Sequence, residues 1–365
     1  MIKVHCVAHR LELCLKGAFK DSYFTQIDEL LMRLYSLYRH SCKKWKELKA
    51  IGEALEEHVM KPSRSQGTRW INHRRKALSS LASNYRCIVA HLLERQGDSG
   101  PDQQKLKAYW RQLTSSKFVL YMALYQDLLA DLAELSLDFQ ADELSLSSVR
   151  SRVMASQAAL LKQKEQPGPY LRPVITAFTN TGSTGVFIYK GVEISTSSTS
   201  AEAFHCQRRE IVNTINACIG RRFSTDPVLL ASEVFDPVNM PAEDNISAIQ
   251  QYGDSDLRKL CEHFEPLLTS NGPLLTSNGS NVAERMLTEK ESKYPNLLHL
   301  VRIVLVFPVS TSQVERQFST MKRMQGDWRL RLKTSTIEDL LLIKSEGCDP
   351  VAYESEEAVA RCDDD

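Results

Sequence analysis

Three small groups of residues in this chain have side chains of the kind that perform or support chemistry. Glu315 is a carboxylate at the start of a basic amphipathic segment. Cys6 and His9 have a spacing found in metal-ligand pairs. Arg69 and Trp70 begin a cationic run that carries an aromatic ring. Each group has a chemical and a structural interpretation, and the elements around it must decide between them.

Glu315 can serve metal-dependent chemistry only together with other carboxylates. Magnesium prefers several oxygen ligands, and a metal pair that activates water and stabilises a leaving oxygen needs more than one acid. The structural alternative is a capping box, because Ser312 and Glu315 have the S-x-x-E spacing in which each side chain binds the backbone N–H of the other. The capping box explains the position of Glu315 without a metal, and we therefore expect it.

Cys6 and His9 are at most a weak candidate for a metal site. A structural zinc site needs four ligands in paired spacings, and no second pair stands nearby in the sequence. The favoured interpretation is a packed cysteine and a hydrogen-bonded histidine at the start of a helix. We predict no cofactor.

The stretch from residue 61 to residue 76 contains six Lys or Arg residues and no acidic residue. An aromatic ring can stack on an unpaired base while arginines bind phosphates. The alternative is a tryptophan packed in a helical core beside a solvated basic face, and both interpretations stay open. The residues that would contact DNA are Arg69, Trp70, Arg74, Arg75 and Lys76.

Apolar periodicity predicts that most of the chain is helical. Stripes with helical spacing indicate helices over residues 24–38, 45–55, 103–113, 117–135, 143–164 and 201–223. Thr68 can cap a further helix that runs to about residue 95. Residues 186–189 and 192–194 flank Lys190-Gly191 and predict a β-hairpin.

The C-terminal helices carry apolar residues that need a partner. Their side chains must be covered by the rest of the chain, by a second copy or by another protein. A twofold dimer reuses one surface patch, whereas intramolecular packing alone is the alternative. The predicted dimerisation residues are Val314, Phe318, Met321, Leu330, Ile337, Leu340 and Leu341.

Composition narrows the class of protein. The chain has 365 residues, a net charge of +1, 42% hydrophobic and 25% charged residues, which is ordinary for a globular protein. Nine cysteines, an odd number without a C-x-x-C pair, indicate a reducing compartment. No apolar run approaches the roughly 18 residues of a membrane helix, and charges interrupt the N-terminus where a signal peptide would lie. We expect an intracellular protein without a membrane partner.

The C-terminal segment contains three motifs, Pro308-Val-Ser-Thr, Glu315-Arg316-x-Phe318-Ser319 and Lys322-Arg323. Through these motifs it closely resembles the dimerisation region of hAT-superfamily transposases. Two upstream matches follow the family order, Cys6-x-x-His9 and Arg69-Trp70. Among host proteins derived from such elements, the chain is most similar in style to the zinc finger protein 862-like group.

The resemblance implies an RNase H-like ancestry in which Glu315 is the remnant of the third acid of an Asp-Asp-Glu set. The family's first two aspartates lie before the Cys-x-x-His motif, so we expect their positions to be missing and the protein to be catalytically inactive. It also implies a nuclear location, or nucleus and cytoplasm. The implied partners are a second copy or a related hAT-derived protein, with DNA as a possible further partner.

We therefore predict a mainly α-helical fold, namely the helical insertion domain of an incomplete RNase H-like hAT transposase with a small β-hairpin and a C-terminal helical dimerisation segment. The predicted divisions are 1–166 (helical insertion, first part), 167–280 (hairpin plus helices), 281–346 (dimerisation region) and 347–365 (acidic tail). The predicted function is that of a catalytically inactive transposase-derived protein that acts through dimerisation as a nuclear regulator. The alternatives are a nucleic-acid-binding module that uses the basic patches and a truncated form of an active transposase.

Overall fold

A computed structural model of the chain describes residues 6–65, 70–97, 103–141, 144, 148–181, 185–196, 200–223, 309–325 and 332–347. The chain forms two compact units, Met1–Val309 and Ser310–Asp365. The described elements are helices and one two-stranded antiparallel sheet. The prediction of a mainly helical fold with a small β-hairpin is confirmed.

The first unit contains ten helices among its described residues. They are α1 (Val7–Phe19), α2 (Phe24–Arg39), α3 (Cys42–Ala54), α4 (Trp70–Ser83), α5 (Tyr85–Glu94), α6 (Gln103–Leu113), α7 (Ser116–Asp138), α8 (Ser148–Lys162), α9 (Leu171–Thr179) and α10 (Ala201–Phe223). A short 3₁₀ turn, Arg95–Gly97, follows α5. None of the helices in the described part of the chain is both long and apolar enough to cross a membrane.

Helix α7 lies at the centre of the first unit. Every residue from Phe118 to Leu129 is buried, so the helix has no solvent-facing side over these three turns. Helices α2, α4, α8 and α9 all pack against it, while α1 packs on α10 at another part of the core. A helix that is apolar around its circumference needs this complete cover.

The single helix predicted from Thr68 to about residue 95 is two helices, α4 and α5, which meet at Asn84. Asn84 is fully buried, and its side chain binds the backbone of Met60 on both sides. The Met60 N–H donates to Oδ1 at 2.8 Å, and Nδ2 donates to the Met60 carbonyl at 2.6 Å. Asn84, at the break between α4 and α5, therefore holds the extended segment around Met60 against these two helices.

The predicted hairpin is confirmed as strands β1 (Val186–Tyr189) and β2 (Val192–Ser195). Lys190 and Gly191 both have positive φ angles, 48° and 74°. Two successive left-handed residues match the right-handed twist of the strands, which is why this two-residue connection suits a hairpin. Phe187 of β1 contacts Phe178 of α9 edge to face, with ring centroids 6.0 Å apart.

The second unit contains α11 (Ser312–Met324) and α12 (Thr334–Glu346) among its described residues, and the two helices pack against each other. The predicted capping box is wrong in detail. Helix α11 begins at Ser312 itself, so Ser312 occupies the first helical position and not the cap. The residue at the cap is Thr311, which makes no side-chain capping hydrogen bond but accepts the N–H of Glu315 through its carbonyl at 3.0 Å.

The carboxylate of Asp127 connects the central helix to the start of α9. Its two oxygens accept the backbone N–H groups of Tyr170 at 3.0 Å and Leu171 at 2.9 Å. Gly168 allows this approach, because a Cβ there would lie 2.4 Å from Asp127 Cγ. Burial raises the pKa of Asp127, and the two N–H donors oppose that rise. The predicted division at 166/167 thus lies inside one compact unit, since α9 is fastened to α7.

We predict that Asp127→Asn lowers the free energy of unfolding by about 2 kcal/mol, because an NH₂ group then faces a buried backbone N–H that had a charged acceptor. The matched control is Asp138→Asn on the same helix. Asp138 pairs with Arg152 at 2.8 Å, but both side chains are more than a third exposed, so we expect a loss below about 1 kcal/mol. Urea unfolding followed by circular dichroism measures both, and equal losses would contradict the role given to Asp127.

Candidate self-association surface and basic pocket

Helices α11 and α12 expose large apolar side chains to solvent. Val314 and Phe318 of α11 are 50% and 56% exposed, and Leu342 and Ile343 of α12 are 56% and 66% exposed. These four residues are called the association surface below. Apolar side chains grouped on a small two-helix unit indicate a surface that another molecule covers.

The other predicted dimerisation residues are less accessible. Met321, Leu340 and Leu341 are partly buried, and Ile337 is buried at 6% exposure. Leu330 lies outside the described residues. Leu342 and Ile343 were missing from the predicted set, although they belong to the same apolar run. Once Ile337 faces inward, the helical period turns these two away from it, so the orientation of a single residue would have identified them.

Neither Glu315, the expected remnant of an acid, nor the weak metal-ligand candidates Cys6 and His9 are buried. Glu315 is exposed in the first turn of α11. Cys6 is partly buried at the residue before α1, and His9 is exposed in the first turn of that helix. Within the described ranges, no three His, Cys, Asp or Glu side chains are grouped so that they could hold a metal ion.

Trp70 packs in the interior of the first unit. Its ring stacks on Phe19 with centroids 5.5 Å apart, and the guanidinium carbon of Arg74 lies 3.8 Å from its ring centroid on a face. The Trp70 backbone N–H donates to Glu12 Oε1 at 3.0 Å. Trp70 therefore ties α4 to α1, which is the structural alternative considered for this residue. Arg69 lies outside the described residues.

Arg74 is also held inside the fold. Its Nε donates to Asp28 Oδ2 of helix α2 at 2.7 Å, and the Tyr125 hydroxyl of α7 lies 3.4 Å from both Asp28 oxygens. Burial raises the pKa of Asp28, while the adjacent Arg74 guanidinium opposes that rise. The buried donors Trp70 Nε1 and Arg74 Nη1 have no hydrogen-bond partner among the residues that the structure describes.

The remaining members of the basic run face outward. Arg75 and Lys76 are exposed and line a cavity of about 520 Å³, which is called the basic pocket below. None of the described residues that line it is acidic. The pocket is defined here by Lys61, Ser63, Arg75, Lys76, Gln126 and Tyr170.

We predict that Trp70→Ala lowers the free energy of unfolding by about 3–5 kcal/mol, because it opens a cavity in the aromatic cluster and removes the ring over which Arg74 lies. Arg75→Ala, five residues along the same helix, is expected to change it by less than about 0.5 kcal/mol. Chemical denaturation of both variants checks this. A Trp70→Ala protein as stable as the wild type would show that the ring does not support the core.

The association surface coincides with a recognisable region of sequence. Residues 273–346 match the family model for the hAT family C-terminal dimerisation region, a match that includes both α11 and α12 and begins before the predicted start at residue 281. The match covers about a fifth of the chain, near its C-terminal end. This part of the protein is similar to the hAT dimerisation region, and the match supports a relation between the chain and hAT-family transposases.

Proposed function

We propose that this protein acts by pairing with a second copy of itself through the association surface. The observation that carries the proposal is the exposure of Val314, Phe318, Leu342 and Ile343 within the hAT dimerisation region. That region supports self-association. The proposal adds which side chains form the contact.

The charges of the two helices favour a second copy as the occupant. Helix α11 has three basic residues and one acidic residue, whereas α12 has three acidic residues and one basic residue. Lys322 and Arg323 of one copy can therefore face Glu338 and Asp339 of the other, and a twofold axis forms this contact twice. Charges of opposite sign around an apolar centre favour the correct pairing over like-charged alternatives.

We predict that Phe318→Asp and Ile343→Asp each convert a dimer to a monomer, because each would bury an unpaired charge in the apolar centre. Light scattering coupled to size-exclusion chromatography measures the mass of wild type and variants at several concentrations. Both side chains are more than half exposed in the single chain, so helical content by circular dichroism should be unchanged. A wild type that is monomeric at every concentration, or variants that keep its mass, would refute the proposed surface.

Glu315→Gln is the matched control for these variants. Glu315 is exposed on the same helix as Phe318 but has a polar side chain in the first turn, where a carboxylate interacts favourably with the helix N-terminus. We therefore propose that Glu315 has a structural and non-catalytic role, and that Glu315→Gln leaves the dimer intact. Cleavage of DNA by the purified protein with Mg²⁺, abolished by Glu315→Gln, would overturn the non-catalytic part.

A second candidate function is nucleic-acid binding through the exposed cations of α4. Arg75 and Lys76 form no ion pair with any described residue, so both charges are available to phosphates. Arg74 is excluded from this role because Asp28 engages its guanidinium.

We predict that the double variant Arg75→Glu, Lys76→Glu weakens binding to duplex DNA and reduces the slope of log affinity against log salt by about 2, one for each lost phosphate contact. Fluorescence anisotropy across a salt series gives the slope. Lys107→Glu, an exposed lysine on α6, is the control and should change the slope less. An unchanged slope in the double variant would remove this candidate.

A further inference from the structure

The basic pocket is built from side chains that suit an anion. Lys61 of the extended segment and Arg75 and Lys76 of α4 supply three positive charges. None of the three side chains forms a hydrogen bond or ion pair with a described residue, so no described carboxylate neutralises their charges. Lysine and arginine side chains that converge on one cavity are typical of phosphate sites.

The walls of the pocket are held by separate contacts. The Asn84 amide fixes Met60 from both sides of its backbone, and Ser80 Oγ donates to the Lys61 carbonyl at 3.4 Å. On the opposite wall, Asp127 accepts the Tyr170 backbone N–H at 3.0 Å. The pocket therefore does not depend on a ligand for its shape, which lowers the entropic cost of binding.

Gln126 of the central helix contributes a neutral polar group to the pocket. The residue is 9% exposed and lines the cavity, and its side-chain amide forms no hydrogen bond with a described residue, so the amide is open to the pocket. An amide in this position can both donate and accept hydrogen bonds. A ligand with polar atoms would satisfy the Gln126 amide.

Tyr170 adds a flat surface at the edge of the pocket. Its side chain is 47% exposed although its backbone is fixed to α7. An exposed aromatic ring beside a cluster of cations is the combination that binds a base together with its phosphate. We infer that the basic pocket binds a phosphate-bearing ligand of nucleotide size, with phosphate at Lys61, Arg75 and Lys76 and a base against Tyr170.

Two ligands carry a phosphate next to a base in this way: a free mononucleotide and the phosphorylated end of a nucleic-acid strand. The inference is independent of self-association by α11 and α12. It shares Arg75 and Lys76 with the second candidate function but adds Tyr170 and Gln126, which general attraction to duplex phosphates does not require. Tyr170 and Gln126 therefore distinguish failure of this inference from failure of the second candidate function.

The test is isothermal titration calorimetry of the full chain with AMP, adenosine, inorganic phosphate and a hexanucleotide with or without a 5′-phosphate. We expect AMP to bind more tightly than adenosine, and Arg75→Gln with Lys76→Gln to weaken AMP binding by at least about tenfold through loss of charge-assisted hydrogen bonds. Tyr170→Ala should weaken binding of AMP but not of inorganic phosphate. Lys107→Gln is the matched control and should leave all affinities unchanged.

The outcomes of the calorimetry distinguish the two ligands and can overturn the inference. Tyr170-dependent binding of AMP assigns the free nucleotide, whereas binding of the 5′-phosphorylated hexanucleotide without AMP binding assigns a strand end. Equal binding of adenosine and AMP, or no binding by any of these probes, overturns the inference. Binding of duplex DNA alone, unaffected by Tyr170→Ala, also overturns it and leaves the second candidate function standing.

Discussion

The complete burial of helix α7 from Phe118 to Leu129 is the constraint on which the first unit depends. Its apolar surface extends around the whole helix from Phe118 to Leu129, and such a helix is stable in water only when neighbours enclose it. Helices α2, α4, α8 and α9 supply that cover. The places of α4 and of the residues before α9, which form two walls of the basic pocket, are consequences of this enclosure.

Apolar packing does not by itself select one arrangement of these helices, because it has no strong directional preference. Two carboxylates, Asp127 (buried) and Asp28 (partly buried), supply direction. Asp127 accepts two backbone N–H groups at the start of α9, and Asp28 binds Arg74 of α4 next to the Tyr125 hydroxyl. A buried carboxylate without such partners is costly, so each acid favours the arrangement in which its donors are in place.

The sequence was sufficient for elements whose pattern is local. Helices over 103–113 and 201–223 have the predicted bounds, and the Lys190-Gly191 turn specified the hairpin. The break at Asn84 was missed because its cause is the backbone of Met60, which is distant in sequence and has no periodic pattern. The capping box failed for a different reason: the S-x-x-E pattern does not fix where a helix begins, and α11 begins at Ser312, one residue earlier than the box requires.

The candidate sites show the same limit more sharply. The sequence left Trp70 between a base-stacking role and a core role, and only the approach of Phe19 and Glu12 from α1 decides for packing. The apolar residues of α12 likewise predicted an association surface, but their pattern did not determine which of them face outward. Burial of Ile337 makes that choice, and it depends on α11. In both cases the deciding contact comes from another element.

Helix α4 separates two functions within two turns. Successive residues are rotated by about 100°, so Trp70 and Arg74 share the inward face while Arg75 and Lys76 turn away from it. Of the inward pair, Trp70 stacks under the Arg74 guanidinium, and Arg74 also donates to Asp28. The outward pair, Arg75 and Lys76, lines the basic pocket. Because the two sets share no partner, the ligand preference of the pocket can change without loss of core stability. The same division explains why a cationic run is poor evidence for binding until the face of each residue is known: of two adjacent arginines, one belongs to the core and the other to the ligand.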